Sequence, residues 1–371
     1  INNIVITYLQ LNDNFKTPGL IGIPYNVIII ASIIISKGTN FYVLIIGSLI
    51  ALISQVLFQL PAVKRTGFKY NLKVDFKDEN VKYLIILILP VLIGGGVEQV
   101  NTLIDGTLAS TFGEGVVTSF NYANRLYGFV SSIFVVSILS VVYPIMAKTS
   151  AAEDTKAFKI SIKKTLNIIL MFIIPICVGT LVLSGPIVKL LFERGKFNES
   201  DTIMTANILM VYIISILAFS LRNVISRAFY SLHDTKTPMI NGAIAIVFNI
   251  VLNIVLSKYM GYLGLAIATT IAAYIGLVIF LVTLRKRIGS FDGKSILATA
   301  IKSIISAAIM GIATSICYNQ LANVLGVGLI SQVIHLGLSI LVGVVVYAMS
   351  IFILKVEETQ IVLDIIKKKI K

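Results

Sequence analysis

The sequence predicts an all-α polytopic membrane protein with about ten complete transmembrane helices, and three observations support this fold class. Of the 371 residues, 57% are hydrophobic and only 13% are charged, and the mean hydropathy is +0.95. Apolar runs of about 20 residues, long enough to cross a bilayer as a helix, recur almost from end to end. One pair of such runs is repeated within the chain. A large soluble enzyme does not need this much apolar surface.

The repeated element is a membrane hairpin. In its second copy, the polar turn from Asp234 to Pro238 precedes two apolar runs, which a short break at Ser257 to Tyr262 separates. A shift of 220 positions places Lys16-Thr17-Pro18 on Lys236-Thr237-Pro238, and the same plan recurs at the start of the chain. Internal repeats of this kind are typical of transporter folds, in which the substrate path lies between two related lobes.

The apolar runs define ten predicted spans joined by short loops, which leave no room for a soluble catalytic domain. Their ends are marked by charged residues, glycine or proline. In chain order the spans are Thr17 to Ser36, Phe41 to Pro61, Val81 to Ser110, Val116 to Ala147, Ser161 to Leu191, Ile203 to Leu232, Pro238 to Leu256, Gly261 to Leu284, Ser295 to Tyr318 and Leu329 to Leu354.

The charge distribution predicts the orientation of the chain. Lys and Arg concentrate in alternate loops, chiefly 62–80, 147–160 and 285–294, and in the C-terminal tail. By the positive-inside rule these segments face the cytoplasm. The net charge of +14 therefore reflects membrane topology, and we expect no nucleic-acid partner. The basic tail at Lys367 to Lys369 is either a solvated end or a contact to anionic membrane lipids.

The N-terminal residues and the motif content bear on what the chain can do. The segment from Ile1 to Leu11 is typical of the C-terminal end of a helix that starts earlier in the chain, so we expect further N-terminal sequence. No Walker motif, nucleophile elbow, HExxH or paired-carboxylate spacing is present, and the two histidines and two cysteines form no cluster. We expect a transporter rather than an enzyme, and no resident cofactor.

Ionisable residues inside predicted spans are the first functional candidates, because burying a charge in a membrane is expensive. They are Glu98, Asp105, Arg125, Arg222 and Lys302. Lys302 lies near the cytoplasmic end of its span, where its amine reaches the interface. At 1.5 Å per residue, Asp105 and Arg125 both lie roughly 12 to 13 Å below the outer ends of their helices.

Polar residues on two later helices share the depth of Asp105. Asn249 and Asn253 are four residues apart on one helix face, and Leu265 and Thr269 have the same relation on the next helix. Carboxylate, amide, hydroxyl and carbonyl oxygens are the ligands of a hard cation such as sodium. The alternative is that these side chains only hydrogen-bond the helices together. The residues alone do not decide between a sodium site and hydrogen bonding between helices.

Four motifs carry a family resemblance that extends over essentially the whole chain. They are NYANRLY at Asn121 to Tyr127, YPIMAK at Tyr143 to Lys148, LLFERGKF at Leu190 to Phe197 and SRAFYSLHDTKTP at Ser226 to Pro238. Together they resemble the MurJ (MviN) family of lipid II flippases, in the multidrug/oligosaccharidyl-lipid/polysaccharide (MOP) exporter superfamily. The resemblance implies a MOP/MATE-like two-lobe helical bundle. It divides the chain into 1–70, the remnant of the N-lobe; 71–288, the C-lobe; and 289–371, the terminal helix pair and basic tail.

The resemblance also implies an activity and a set of site residues. Members flip the lipid-linked peptidoglycan precursor, lipid II, to the outer leaflet of the bacterial plasma membrane by alternating access, for cell-wall synthesis. The leading helices absent here carry several cavity arginines and half the gate. The family's cavity arginine falls on Arg125, beside Asn124, where relatives can carry Asp; we assign Arg222 and Glu98 to substrate binding as well. The family's sodium site falls on Asp105, Asn249, Asn253, the Leu265 carbonyl and Thr269.

The expected partners are lipid II, membrane lipids and the cell-wall synthesis machinery, with the C-terminus in the cytoplasm. Two alternatives differ in function. One is an exporter of another polyprenyl-linked oligosaccharide, or of drugs, in the same superfamily. The other is a membrane-embedded glycan polymerase, which requires an acidic catalytic residue in an outward loop. The loop carboxylates available for that role are Glu114, Glu193, Glu199 and Asp201.

Overall fold

The computed structural model describes residues 2–12, 14–36, 41–67, 79, 96, 99–152, 154–326, 328–356 and 358–359. Within these ranges the regular structure is helical throughout, and no residue lies in a strand. The chain divides into two compact units, Ile1–Tyr83 and Leu84–Lys371. The all-α fold class predicted from the sequence is confirmed.

The first unit contains a helical hairpin with a shorter helix against it. Its helices are α1 (Asn2–Leu11), α2 (Lys16–Leu20), α3 (Gly22–Ser36) and α4 (Phe41–Arg65). Antiparallel α3 and α4 pack along their lengths, and α1 lies against α4. The amide of Asn2 joins α1 to α4, because it donates to Gln55 at 2.7 Å and accepts from Gln59 at 2.7 Å.

The second unit is a bundle built around two long helices, α8 and α9. Helix α9 packs against α6, α8 and α11, while α12 packs against both α8 and α13. The elements are α5 (residues 99–110), α6 (Val116–Val130), a π-helical turn (Ser131–Val136), α7 (Ser137–Ala151), α8 (Thr155–Phe192), α9 (Glu199–Ser231), α10 (Lys236–Met260), α11 (Tyr262–Ile288), α12 (Gly293–Leu325) and α13 (Leu329–Ile353).

Nine helices in the described part of the chain are long and apolar enough to span a membrane. They correspond to nine of the ten predicted spans. The remaining prediction, Val81 to Ser110, falls largely outside the described residues, although its last stretch, 99–110, is helical. The chain therefore crosses the membrane many times, as the hydropathy pattern indicates.

Two helices begin earlier than hydropathy predicted, at Thr155 rather than Ser161 and at Glu199 rather than Ile203. Side-chain caps explain both differences. The carboxylate of Asp154 accepts a hydrogen bond from the amide of Ala157 at 2.9 Å, and Asn198 forms a capping box with Asp201. Hydropathy marks only the apolar part of a helix, whereas capping decides where its backbone hydrogen bonds start.

The repeated polar turn has the same local structure in both copies. Asn14 accepts a hydrogen bond from the amide of Thr17 at 3.2 Å, and Asp234 accepts one from the amide of Thr237 at 2.9 Å. In the second copy the hydroxyl of Thr237 adds a further bond to Asp234, at 2.7 Å. Each turn leads into a packed hairpin, α3–α4 in the first unit and α10–α11 in the second.

Candidate functional site

Close packing of α10 against α11 assembles a polar cluster in the second unit. Gly264 allows this approach, because a Cβ at that position would overlap the backbone of Leu256 and Ser257. The polar faces of the two helices meet nearby, where Asn249 donates a hydrogen bond to Thr269. Asn249 and Asn253 are buried there, with 5% and 0% of their surface exposed.

A chain of hydrogen bonds joins the five predicted sodium ligands, which we call the Asp105 cluster. The amide nitrogen of Asn253 donates to the carboxylate of Asp105 and, at 3.1 Å, to Asn249 Oδ1. Asn249 Nδ2 in turn donates to Thr269 Oγ1 at 3.2 Å, and that hydroxyl donates to the Leu265 carbonyl at 3.1 Å. The structure thus brings together residues of α5, α10 and α11.

One member of this cluster, Asn101, was not predicted from the sequence. Its Nδ2 atom lies 3.4 Å from Asp105 Oδ2, and its Oδ1 atom is buried and receives no hydrogen bond from the described residues. Asn253 Oδ1 is likewise buried and has no donor in the described part of the chain. The available signal was the spacing of Asn101 and Asp105, which places them four residues apart on one helix face.

The composition of the Asp105 cluster suits a hard monovalent cation. It contains a carboxylate, two amide oxygens that receive no hydrogen bond from the described residues, a hydroxyl and a backbone carbonyl, all of them oxygen ligands. In the described part of the chain no three His, Cys, Asp or Glu residues come together, as a transition-metal or multi-carboxylate site would need. The residues present therefore fit sodium in type and in charge.

Tyr212 on α9 connects the Asp105 cluster to the predicted substrate residues on α6. Its side chain is buried, and its ring packs edge-on against Phe120, with the ring centroids 5.7 Å apart. Its hydroxyl faces both Thr269 and Asn124. No periodicity or motif in the sequence marked this tyrosine, because its importance depends on which helices surround it.

Asn124 and Arg125 lie on an exposed face of α6. The guanidinium of Arg125 is 5.8 Å from the ring centroid of Tyr122, which packs against Phe192 at a centroid distance of 4.4 Å. Among the described residues Arg125 forms no ion pair, and in particular none with Asp105. The other carboxylate considered as its partner, Glu98, lies outside the described residues.

Arg222 has a different environment from Arg125. It is half-buried, and its guanidinium lies over the rings of Phe219 and Phe280, at 4.6 and 5.9 Å from their centroids. A Cβ added at Gly276 would come within 3.0 Å of the Cβ of Ala245, so this glycine allows α11 to approach α10 closely beside Arg222. Cation–π contacts of this kind hold a cation in a partly apolar setting.

An apolar groove of about 650 Å³ runs along the terminal helix pair. One wall is formed by α8, through Phe172, Pro175 and Leu183, and the other by α13, through Val344 and Tyr347. The hydroxyl of Tyr347 donates to the backbone carbonyl of Met171 at 2.6 Å, so α13 is held against α8 at this point. The groove is suited to a hydrocarbon chain.

Long apolar helices, an internally repeated hairpin and a buried polar cluster define the class of protein, a polytopic helical membrane protein with the type of repeat that is common in transporter folds. The family profile described as "Lipid II flippase MurJ" matches residues 1–335, and the chain belongs to this family. The resemblance identified from the four motifs is confirmed.

Individual relatives agree with the family match. The chain is 33% identical over 234 residues to a probable lipid II flippase MurJ of Vibrio cholerae, covering 63% of this chain and 45% of the relative. It is 30% identical over 319 residues to that of Rickettsia prowazekii, covering 84% of this chain and 61% of the relative. The chain therefore spans about half the length of the curated relatives it matches.

Solved structures support the predicted architecture. A lipid II flippase MurJ in an inward closed conformation is 27% identical, with a TM-score of 0.73 over 94% of this chain and 69% of that one. A MATE transporter from Vibrio cholerae is 16% identical, with a TM-score of 0.57 over 77% of this chain and 66% of that one, which shows likeness of fold alone. The MOP/MATE-like fold predicted from the sequence is confirmed.

Proposed function

We propose that this protein flips lipid II from the inner to the outer leaflet of the plasma membrane by alternating access, in support of cell-wall synthesis. The observation that supports the proposal is the family match over residues 1–335, which includes all the spans described in both units except most of α13. The long apolar helices supply the membrane setting, and the polar residues within them supply a path for a charged head group.

Arg125 is the residue proposed to contact the diphosphate of lipid II. It is exposed and, in the described part of the chain, has no carboxylate partner, so its guanidinium is available to an external anion. A guanidinium binds phosphate oxygens through two parallel hydrogen bonds. Asn124 is proposed to contact the head group from the same helix face, and Arg222 to supply further positive charge. Glu98 keeps its proposed role in substrate binding.

The groove between α8 and α13 is proposed to hold part of the polyprenyl tail. It is lined almost entirely by apolar side chains, and burial of hydrocarbon in it is favourable by about 25 cal/mol per Å². Head group and tail would then be bound by separate surfaces, one polar and one apolar. This separation allows the head group to cross while the tail stays in an apolar environment.

Sodium is the ion proposed for the Asp105 cluster. When bound, sodium would neutralise the Asp105 carboxylate and replace its hydrogen bonds with oxygen coordination. Asp105, Asn249, Asn253, Thr269 and the Leu265 carbonyl would hold it. Because these groups belong to α5, α10 and α11, occupancy would alter how these helices are joined. The cluster is therefore proposed to link ion binding to the conformation of the C-lobe.

Three further assignments follow from the sequence and belong to the same proposal. The C-terminus and the loops 62–80, 147–160 and 285–294 face the cytoplasm. The chain is organised as 1–70, 71–288 and 289–371. Membrane lipids and the cell-wall synthesis machinery are its remaining partners. For the orientation, strong labelling of Lys156→Cys from outside intact cells is the contradicting result.

The function is tested with the chain joined to its N-terminal helices, in cells depleted of their own flippase. Restored growth, together with movement of lipid II across the membrane of proteoliposomes, is the expected outcome. Normal expression without lipid II movement would contradict the proposal. Drug efflux in its place would favour the related exporter, and glycan product formed from purified lipid II would favour the polymerase.

A further inference from the structure

A cleft of about 350 Å³ lies in the first unit, between the turn that precedes α2 and the end of α4. Two cationic side chains line it: Lys16, the first residue of α2, and Arg65, the last residue of α4. Both are exposed at the cleft. Its volume is at the lower end of the range for sites that bind small ligands.

The rest of the lining is partly polar and partly apolar. Asn14 and Thr17 are among its polar residues, and Leu20, Phe58 and Pro61 are among its apolar residues. The described lining contains no carboxylate. Asp13 precedes Asn14 in the sequence and lies outside the described residues. Two cations and several apolar side chains in one cleft, at the ends of membrane helices, match the headgroup and first carbons of a lipid.

The second copy of the repeat shows what the first copy lacks. The shift of 220 positions that aligns the hairpins places Asn14 on Asp234 and Arg65 on Arg285. Asn14 and Asp234 cap their turns in the same way, through the amides of Thr17 and Thr237. Only the second copy therefore supplies a negative charge at the capping position.

That charge is compensated within the second copy. Partial burial raises the pKa of Asp234, but hydrogen bonds from the backbone and hydroxyl of Thr237 and the positive charge of Arg287 outweigh it and hold the pKa below its ordinary value. The second copy thus contains its own anion for the basic residues at the end of its hairpin. In the first copy the capping residue, Asn14, is neutral. The capping position therefore supplies no negative charge to Lys16 and Arg65.

We propose that the cleft binds the phosphate of a membrane lipid headgroup, with Lys16 and Arg65 as its anion ligands and with Leu20, Phe58 and Pro61 against the first carbons of the tail. Arg65 can bind two phosphate oxygens at once, and Lys16 acts as a point charge. The site contains none of the residues assigned to lipid II. The outcome of its test therefore does not depend on the proposed flippase activity.

The experiment measures lipid binding to the purified full chain in detergent by native mass spectrometry. Phosphatidylglycerol is compared with diacylglycerol, which has the same tails and no phosphate. We expect preferential binding of phosphatidylglycerol, and a loss on the order of fivefold in affinity for Lys16→Gln and for Arg65→Gln, the size of one basic contact to an anionic lipid. Unchanged affinity in both variants would overturn the proposal.

Asn14→Asp is the most discriminating variant, because it introduces at position 14 the negative charge that the second copy has at Asp234. The turn should keep its cap, because Asp234 accepts the equivalent hydrogen bond in the second copy. We expect it to weaken phosphatidylglycerol binding without a change in thermal stability. Lys236→Gln is the matched control at the repeat-equivalent position, and we expect it to leave binding within twofold of the parent chain. Equal losses in Lys16→Gln and Lys236→Gln would show a nonspecific charge effect and overturn the site.

A competition arm distinguishes the two sources of lipid phosphate. Polyprenyl diphosphate is added to the parent chain and to Arg65→Gln, each with phosphatidylglycerol bound. If it displaces phosphatidylglycerol from the parent chain but leaves the residual binding to Arg65→Gln unchanged, the cleft is assigned to the substrate class of lipid. Failure to displace would assign it to membrane phospholipid. Both results uphold a phosphate headgroup site. Equal binding of phosphatidylglycerol and diacylglycerol would overturn it.

Discussion

The side-chain amide of Asn253 donates a hydrogen bond to the carboxylate of Asp105, which ties α10 to α5 across 148 positions of the chain. The amide oxygen of Asn253 takes no part in this bond and, within the described ranges, receives no hydrogen bond, although it is fully buried. Amide nitrogen and oxygen exchange places by rotation of the side chain. A cation beside Asp105 would therefore be accompanied by rotation of Asn253, so the residue reports on ion occupancy.

Asp105→Asn tests the charge of the cluster. We expect the variant to lose sodium-dependent stabilisation, because the substitution removes the cluster's carboxylate but keeps a side chain of nearly the same shape. We expect the parent chain to gain about 2.7 kcal/mol when sodium is present at 100 times its Kd. The measurement is thermal unfolding in sodium chloride against choline chloride. A sodium effect of parental size in Asp105→Asn would contradict the site.

Asn253→Asp adds a negative charge to the same cluster, whereas Asp105→Asn removes one. It places a second carboxylate next to the first, so we expect lower stability without sodium and a larger gain when sodium is added. Sodium affinity should rise, because two carboxylates attract a cation more strongly than one. Isothermal titration with sodium chloride measures this change. Asn241→Asp, on the same helix but outside the cluster, is the control and should leave sodium affinity unchanged.

Arg125 is tested by paired substitutions in a chain joined to its N-terminal helices. We expect Arg125→Ala to abolish lipid II flipping with a nearly normal yield of folded protein, since the side chain is exposed. Arg125→Lys should restore only part of the activity, because lysine lacks the two-pronged geometry for phosphate. A different pattern, in which Arg125→Ala fails to fold and Asp105→Asn rescues it, would show that the arginine has a structural role.

Tyr212→Phe tests the connection between the cluster and α6. The substitution keeps the ring that packs against Phe120 and removes the hydroxyl that faces Thr269 and Asn124. We expect folded protein in which sodium has about fivefold less effect on lipid II affinity, the lower end of typical coupling between sites. Tyr274→Phe removes a hydroxyl that bonds to the backbone of Ile214 and serves as control. Equal coupling in the two variants would refute the role of Tyr212.

Gly264→Ala tests the helix contact that assembles the cluster. An added methyl group would overlap the backbone near Leu256, so we expect a loss of about 1–3 kcal/mol of stability and weaker sodium binding. Gly242→Ala is the control in the same hairpin, because no atom lies within 4 Å of its added Cβ. That substitution should be neutral or slightly stabilising. Equal effects of both changes, measured by thermal unfolding, would contradict the packing argument.

The order and type of the elements could be predicted from the sequence because a bilayer imposes a single local requirement. Each span needs about 20 apolar residues with its backbone hydrogen bonds satisfied within a helix. Such runs can be recognised without knowledge of what packs against them. The same holds for the repeat that aligns Lys16 with Lys236 and for the motif around Arg125. Helix starts were less accessible, because Asp154 and Asn198 extend α8 and α9 through capping rather than hydropathy.

The candidate site was predicted in part, through spacing and depth along separate helices. Asp105, Asn249, Asn253 and Thr269 share a depth, and counting residues is enough to show that. The contacts of Tyr212 and Asn101, and the separate surroundings of Arg125 and Arg222, could not be predicted this way. They depend on the rotation of each helix about its axis and on the close approach at Gly264. Those features are set by packing between side chains distant in sequence, so only the tertiary structure decides them.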